Sequence, residues 1–412
     1  MSAQPVKTHL PSVAQLIISI YGLVTSLFSG LAFLLILKLG SSLQPVDIQA
    51  DQSIYVIVWL GIIISLITIP SIVLSIRRLA RWSMPGFPSR TMLILSSIAF
   101  FIILPLVYLL YKNPELLSNS LLKVLFSFIT VAIPLWWFVE FGQSKLTKIS
   151  PQRFWGLINF QIFAGLPIVI FVEVMLLILA LILGGAWLAT SDVFKPILMT
   201  LQTQIMLDPN DMTTLVDQIS PLLQKPEVMA ALFFSTVIVI PLVEEFFKPF
   251  ALWFFIKRGW SESEGFSAGL VCGAAFALIE SVSAIVTLPQ ENWSALLIAR
   301  VGTGLLHTLT AGLTGWGLVS AWKNANYKRL GVTYLVSLSL HGIWNFFALL
   351  TGFDKNFGIF AKSSLIVFSD SAPWVLGTLF AVMLAILFFM NRRIRPTLAP
   401  PPILPIVSES LK

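Results

Sequence analysis

The feature that most restricts this chain is a series of about ten long apolar runs, each near the length needed to cross a hydrocarbon layer. A bilayer core of about 30 Å takes roughly 20 residues of α-helix. Measured against that length, the runs fall at about 13 to 37, 54 to 76, 92 to 111, 122 to 140, 163 to 189, 228 to 256, 265 to 288, 295 to 322, 331 to 351 and 372 to 391. They predict an all-α polytopic membrane protein of about ten transmembrane helices. The first run is longer than the apolar core of a signal peptide and lacks a small-residue cleavage site, so it reads as the first span. Composition agrees: 57% of the 412 residues are hydrophobic, 11% are charged and the mean hydropathy is +0.90, too apolar for a soluble domain of this size.

The net charge of +7 does not indicate a nucleic-acid partner, because the basic residues sit in short clusters between apolar runs. Alternate connections carry them: Arg77, Arg78, Arg81 and Arg90; Lys145, Lys148 and Arg153; Lys257 and Arg258; Lys323, Lys328 and Arg329; Arg392, Arg393 and Arg395. The intervening connections are more acidic, with Asp47, Asp51, Asp208, Asp211, Asp217, Glu291, Asp354 and Asp370. Retention of positive charge predicts that the basic set is cytoplasmic, with both termini on that side. The single cysteine, Cys272, lies inside a run, which excludes a disulfide framework or a cysteine-based zinc site within one chain.

The sequence divides into residues 1–226, five spans with an outward amphipathic loop at about 190–227; residues 227–353, four spans; and residues 354–412, a last span with a Pro-rich tail. The middle part is set apart by its polar residues. A charged group in hydrocarbon costs several kcal/mol, so those present face a protein interior or a watery cavity. The sixth run contains Glu244, Glu245 and Lys248, the seventh Glu280, the eighth Arg300 and His307, and the ninth His341 and Asn345. At about 1.5 Å per residue, Glu244, Glu280, His307 and His341 all fall roughly 15 to 22 Å from the basic side, in one layer. Arg300 lies nearer the outer end and reads as a snorkelling residue. Residues four apart share a helix face, which pairs Glu244 with Lys248, Phe276 with Glu280, and His341 with Asn345. Pro241 and Pro249 bracket the double glutamate, and each frees a backbone carbonyl.

Carboxylates beside imidazoles in a low-dielectric pocket suit hydrolysis, with a glutamate as general base toward water. The same set also suits a metal that acidifies the water, since His and Glu are ordinary zinc ligands. Asn345 can donate to an oxyanion, and Lys248 can hold one glutamate ionised while the other moves the proton. No GxSxG elbow is present and Cys272 has no nearby base, while Ser281 and Ser283 close to Glu280 leave rhomboid-like serine and histidine chemistry as a weaker alternative. A structural ion pair is the plain reading of Glu244 with Lys248, and an interhelical hydrogen bond that of Glu173. Gly302, Gly304, Ala311, Gly312 and Gly315 read as surfaces for close helix approach.

The succession EExxK at Glu244, Glu245 and Lys248, FxxxE at Phe276 and Glu280, His307, and HxxxN at His341 and Asn345 resembles the PrsW-type intramembrane proteases. That family is distantly similar to the CAAX prenyl endopeptidases. The resemblance, over about residues 228–351, implies an intramembrane endopeptidase of metallo or glutamic type in a bacterial inner membrane. It implies a membrane protein or peptide as substrate, an anti-sigma factor among the possibilities. It further implies Glu244 and Glu245 as the water-activating pair, Glu280, His307 and His341 as catalytic or zinc-binding residues, and Asn345 as oxyanion support, with Lys248 and Phe276 assisting. The alternatives are a transporter with a proton relay, for which an internal repeat would speak and none is found, and an inactive membrane scaffold.

Overall fold

The computed structural model describes residues 9–43, 48–86, 89–190, 195, 199–200, 225–253, 259–287, 293–357 and 366–395. The outward amphipathic loop lies almost wholly outside the described residues, as do Lys257, Arg258 and the Pro-rich tail. Among the described residues every regular element is helical. In order they are α1 (Leu10–Leu43), α2 (Ile48–Leu79), α3 (Ser89–Lys112), α4 (Ser120–Gly142), α5 (Pro151–Phe160), α6 (Leu166–Thr190), α7 (Pro226–Phe234), α8 (Ile240–Phe247), α9 (Phe250–Trp253), α10 (Glu262–Thr287), α11 (Trp293–Asn324), α12 (Tyr327–Phe357) and α13 (Ile366–Arg393). A π-helical turn, Gln161–Gly165, joins α5 to α6, and another, Ser235–Val239, joins α7 to α8.

Ten stretches are long and apolar enough to cross a membrane, one for each predicted span. The fifth differs most from expectation, running from Pro151 to Ala186 instead of starting near residue 163. The cause is local. Ser150 accepts a hydrogen bond from the backbone N–H of Arg153, and Pro151 sits where a missing N–H costs nothing, so helix begins there and continues through the π turn.

Among the described residues the basic connections gather at one end of the bundle. Glu140 joins Lys148, Arg153 reaches Glu264, Arg329 reaches Glu262, and Asn391 donates to the carbonyls of Gly142 and Ser144. Arg78 lines one cavity with Arg153 at the same end.

The most enclosed elements are α10 and α11, each about two-thirds buried along its membrane window, 67%, against 11% for the α5–α6 and α13 windows. Glycine explains the contact. A Cβ on Gly273 would lie 2.1 Å from the carbonyl oxygen of His307, and one on Gly269 would lie 2.2 Å from that of Ala311. No side chain fits at either place, so the two backbones touch. Gly312 and Gly315 close the same seam from α11, as expected of that small-residue stretch, whereas Gly302 receives the ring of Trp344 from α12 and Gly304 the Leu135 side chain from α4.

Candidate active site

Proline shapes the helix that carries the double glutamate. Ile240 N–H bonds back to Ser235 O in the π turn, five residues away. Pro241, next in line, has no N–H, so the carbonyl of Thr236 is left without its π-type donor. Asn345 of α12 supplies one, its Nδ2 donating to Thr236 O at 2.9 Å. The neighbouring carbonyl of Val237 is covered by Gly342, where an added Cβ would lie 2.6 Å away. Further on, Tyr334 of α12 donates its hydroxyl to Leu242 O at 2.8 Å. Three contacts along one face of α12 thus fix the height of α7–α8. The helix stops at Lys248, whose N–H bonds to Glu244 O, because Pro249 cannot continue the series.

Around that break the predicted residues meet. Lys248 Nζ, fully buried, lies 2.7 Å from Glu245 Oε1, 2.9 Å from Glu244 Oε2, 2.6 Å from His307 Nδ1 and 3.5 Å from His341 Nδ1. The expected ion pair of Glu244 with Lys248 is present, and Glu245 shares it. His341 Nδ1 is 2.8 Å from Glu245 Oε1, and the two imidazole rings cross edge to face at 5.1 Å. Phe276 packs edge-on against His307 at 5.2 Å, while Glu280, one turn further along α10, places Oε2 2.8 Å from His307 Nε2.

Proton positions follow from the partners. An ammonium only donates, so His307 Nδ1 accepts from Lys248 and Nε2 carries the hydrogen on the Glu280 side. Glu245 only accepts as a carboxylate, so His341 Nδ1 carries the hydrogen and Nε2 keeps a free lone pair. That Nε2 is 3.9 Å from Glu244 Oε2, the spacing of two groups that share a water.

The two adjacent glutamates therefore differ. Glu245 has no exposed surface, and its Oε1 is held by Lys248 and His341. Glu244 keeps 10% of its side chain exposed, and its Oε2 touches Lys248 as an ion without an aligned hydrogen bond.

Arg300 does not snorkel: Nη1 donates to Glu280 Oε1 at 2.8 Å. The signal was its spacing, two turns before His307 on the same face of α11. Tyr334 gave no signal, since a tyrosine near a helix start reads as interfacial. Nor does Glu173 bond to another helix as expected; its Oε1 is buried without a hydrogen-bond donor among the described residues.

The group spaced to hold a metal is Glu244, His307 and His341, whose donor atoms lie within 4.8 Å of one another. Glu280 stands outside it, against the far nitrogen of His307 and engaged by Arg300. One carboxylate and two imidazoles fit zinc in kind and number. Lys248 Nζ, however, lies against two of the three residues, 2.9 Å from Glu244 Oε2 and 2.6 Å from His307 Nδ1.

Fold and site together define an all-helical, multi-pass membrane protein with a buried glutamate and histidine centre. Residues 173–372 match the family described as PrsW family intramembrane metalloprotease. The match covers the region whose four motifs resemble the PrsW-type intramembrane proteases, and it extends further, from Glu173 in α6 to the start of α13. Intramembrane proteolysis, with membrane proteins as substrates, is the activity this family supports. No curated protein and no solved structure matches the chain.

Proposed function

We propose that the protein hydrolyses peptide bonds of membrane-embedded polypeptides with a water activated by Glu244. The observation that carries this reading is the pair Glu244 Oε2, an ion partner of Lys248 with no aligned hydrogen bond, and His341 Nε2, 3.9 Å apart in a buried centre. A water between them gives one hydrogen to each and turns its lone pair toward a scissile carbonyl carbon. As the C–O bond forms, Glu244 takes the proton. The negative charge that grows on the carbonyl oxygen is met by the Lys248 ammonium, already fixed in place and shielded from bulk solvent. Glu244 then passes the proton to the leaving nitrogen, the C–N bond breaks, and a carboxylic acid and an amine result.

The other residues hold this geometry. Glu245 anchors Lys248 and orients His341; Glu280, steadied by Arg300, does the same for His307. Asn345 spends an amide hydrogen on Thr236 O, which makes it a clamp between α12 and the π turn that sets the height of Glu244. Phe276 keeps water from one face of His307. Glu244, His307 and His341 are the residues that would hold zinc, and zinc, when bound, supplies a Lewis acid for the carbonyl and the water. The anti-sigma substrate has no support in the fold or the site, so the reading is made for membrane polypeptides as a class, in a cell membrane with the basic end of the bundle cytoplasmic.

The test is cleavage of membrane proteins by the purified protein in proteoliposomes prepared in ¹⁸O-water. Fragments whose new carboxyl carries ¹⁸O, formed by wild type and absent with Glu244→Gln, are the expected result. Equal cleavage by Glu244→Gln refutes the assignment, and ion flux without fragments favours transport instead.

A further inference from the structure

Glu173 is the one charged residue between Arg153 and Asp192, and the hydrolytic reading leaves it without a task. Val169, one turn before it on α6, is 1% exposed and packs in a cluster with Val243 of α8 and Phe276 of α10. Glu173 follows Val169 on that face, as Glu280 follows Phe276 on α10. The segment α5–α6 and helix α10 both start at the end where Arg153 meets Glu264, and they run the same way. One turn past the apolar cluster that Val169 and Phe276 share, the two carboxylates come to neighbouring heights. Consistent with this, the charges that act on Glu173 are those of Glu244, Glu280 and Lys248.

Beyond this point α6 leaves the bundle, and Val174 to Leu183 are exposed as a lipid-facing surface. Glu173 therefore sits where the site's rim meets the apolar phase. Its Oε1 is closed to solvent and accepts no hydrogen bond among the described residues. An acceptor kept in that state costs free energy that no helix partner offsets. A molecule that brings a donor would offset it. A polypeptide about to be cleaved brings such donors, because a helix opened in hydrocarbon exposes backbone N–H groups that have lost their own partners.

We propose that Glu173 is a substrate-positioning residue whose free oxygen accepts a backbone N–H from the opened stretch beside the scissile bond. The inference rests on the hydrolytic reading and adds to it the form of the substrate: an extended strand, docked by its main chain at the rim between α6 and α10.

The experiment uses the full-length protein in proteoliposomes and a membrane polypeptide that wild type cleaves. In the substrate series, single amide N–H groups flanking the scissile bond are replaced by ester oxygens. Glu173→Leu should raise KM about tenfold, the loss of one hydrogen bond that leaves a buried N–H unpaired, with kcat within about twofold. Glu173→Gln, whose amide oxygen still accepts, should recover most of the affinity. One ester position should raise KM in wild type and add nothing in Glu173→Leu. An equal ester penalty in both proteins overturns the proposal, as does a Glu173→Leu whose KM is unchanged. Should Glu173→Leu fail to fold, Glu173→Ala serves in the same comparison. Wild type that cleaves nothing sinks the hydrolytic reading itself, whereas cleavage that ignores Glu173 sinks only this one.

Discussion

Two groups of acids in this molecule are treated in opposite ways. At the charged end of the bundle each glutamate has both oxygens occupied. Glu140 accepts from Gln143 and Lys148, Glu262 from Asn324 and Arg329 on one oxygen and Trp316 on the other, and Glu264 from Arg153 on one and Ser261 on the other. In the middle of the bundle, where an unsatisfied group costs more, Glu173, Glu244, Glu245 and Glu280 each keep one oxygen with no aligned donor. The difference separates acids that join helices from acids that wait for something to bind. A structural network closes on itself, whereas a reactive centre holds acceptors in reserve at a cost in stability.

The largest effect should come from the reserve acceptor with the water. Glu244→Gln keeps the shape, removes the base and should lower kcat by about three orders of magnitude, within the range for a general base. Its stability should fall by less than that of a Lys248 variant, because Glu245 remains to neutralise the buried lysine when the Glu244 charge is removed. A Glu244→Gln variant that unfolds would place Glu244 with the joining acids and break the comparison.

Lys248→Met tests the cation on which both glutamates depend. Removing it leaves buried carboxylates uncompensated, and unfolding free energy should fall by about 3–5 kcal/mol in a denaturant series in detergent. It also frees Glu244 Oε2 and His307 Nδ1, atoms of two residues in the group spaced to hold zinc. Zinc affinity, measured by competition with a chelator, should therefore rise in Lys248→Met relative to wild type. A fall would show that the lysine helps to hold the ion instead of taking its place.

Arg300→Gln acts through Glu280, and a drop of about tenfold in kcat is expected from loosening one charge-assisted hydrogen bond behind His307. Unchanged turnover would move Glu280 out of the supporting group.

Much of this was legible before any coordinates. Apolar length gave ten spans, and spacing of four put Glu244 with Lys248 and Phe276 with Glu280. What spacing cannot reveal is the rotation of one helix against another, and that rotation decides which lone pair of a carboxylate is covered. Glu244 and Glu245 are neighbours in sequence and looked like one pair, yet they lie about 100° apart around the helix and meet different partners. Asn345 shows the same limit, because its partner is a carbonyl freed by a π turn, which apolar periodicity does not register. The zinc group exchanged Glu280 for Glu244 because residues at equal depth still approach a histidine from different sides.

The smallest effect belongs to the closed network, and it sharpens the comparison from the other side. Glu262→Gln keeps an oxygen and adds an amide, so Trp316 or Arg329 loses a charged partner while the helix ends stay in contact. These side chains are about 30% exposed, 28% for Glu262 and 29% for Arg329, so water can replace part of what is lost. The expected cost is about 1 kcal/mol of stability, with kcat and KM within about twofold of wild type. Thermal unfolding and cleavage measured on one preparation check it. A closed acid that proved as important to turnover as Glu244 would mean that the charged end moves during the reaction, and the division between joining and waiting acids would no longer identify the site.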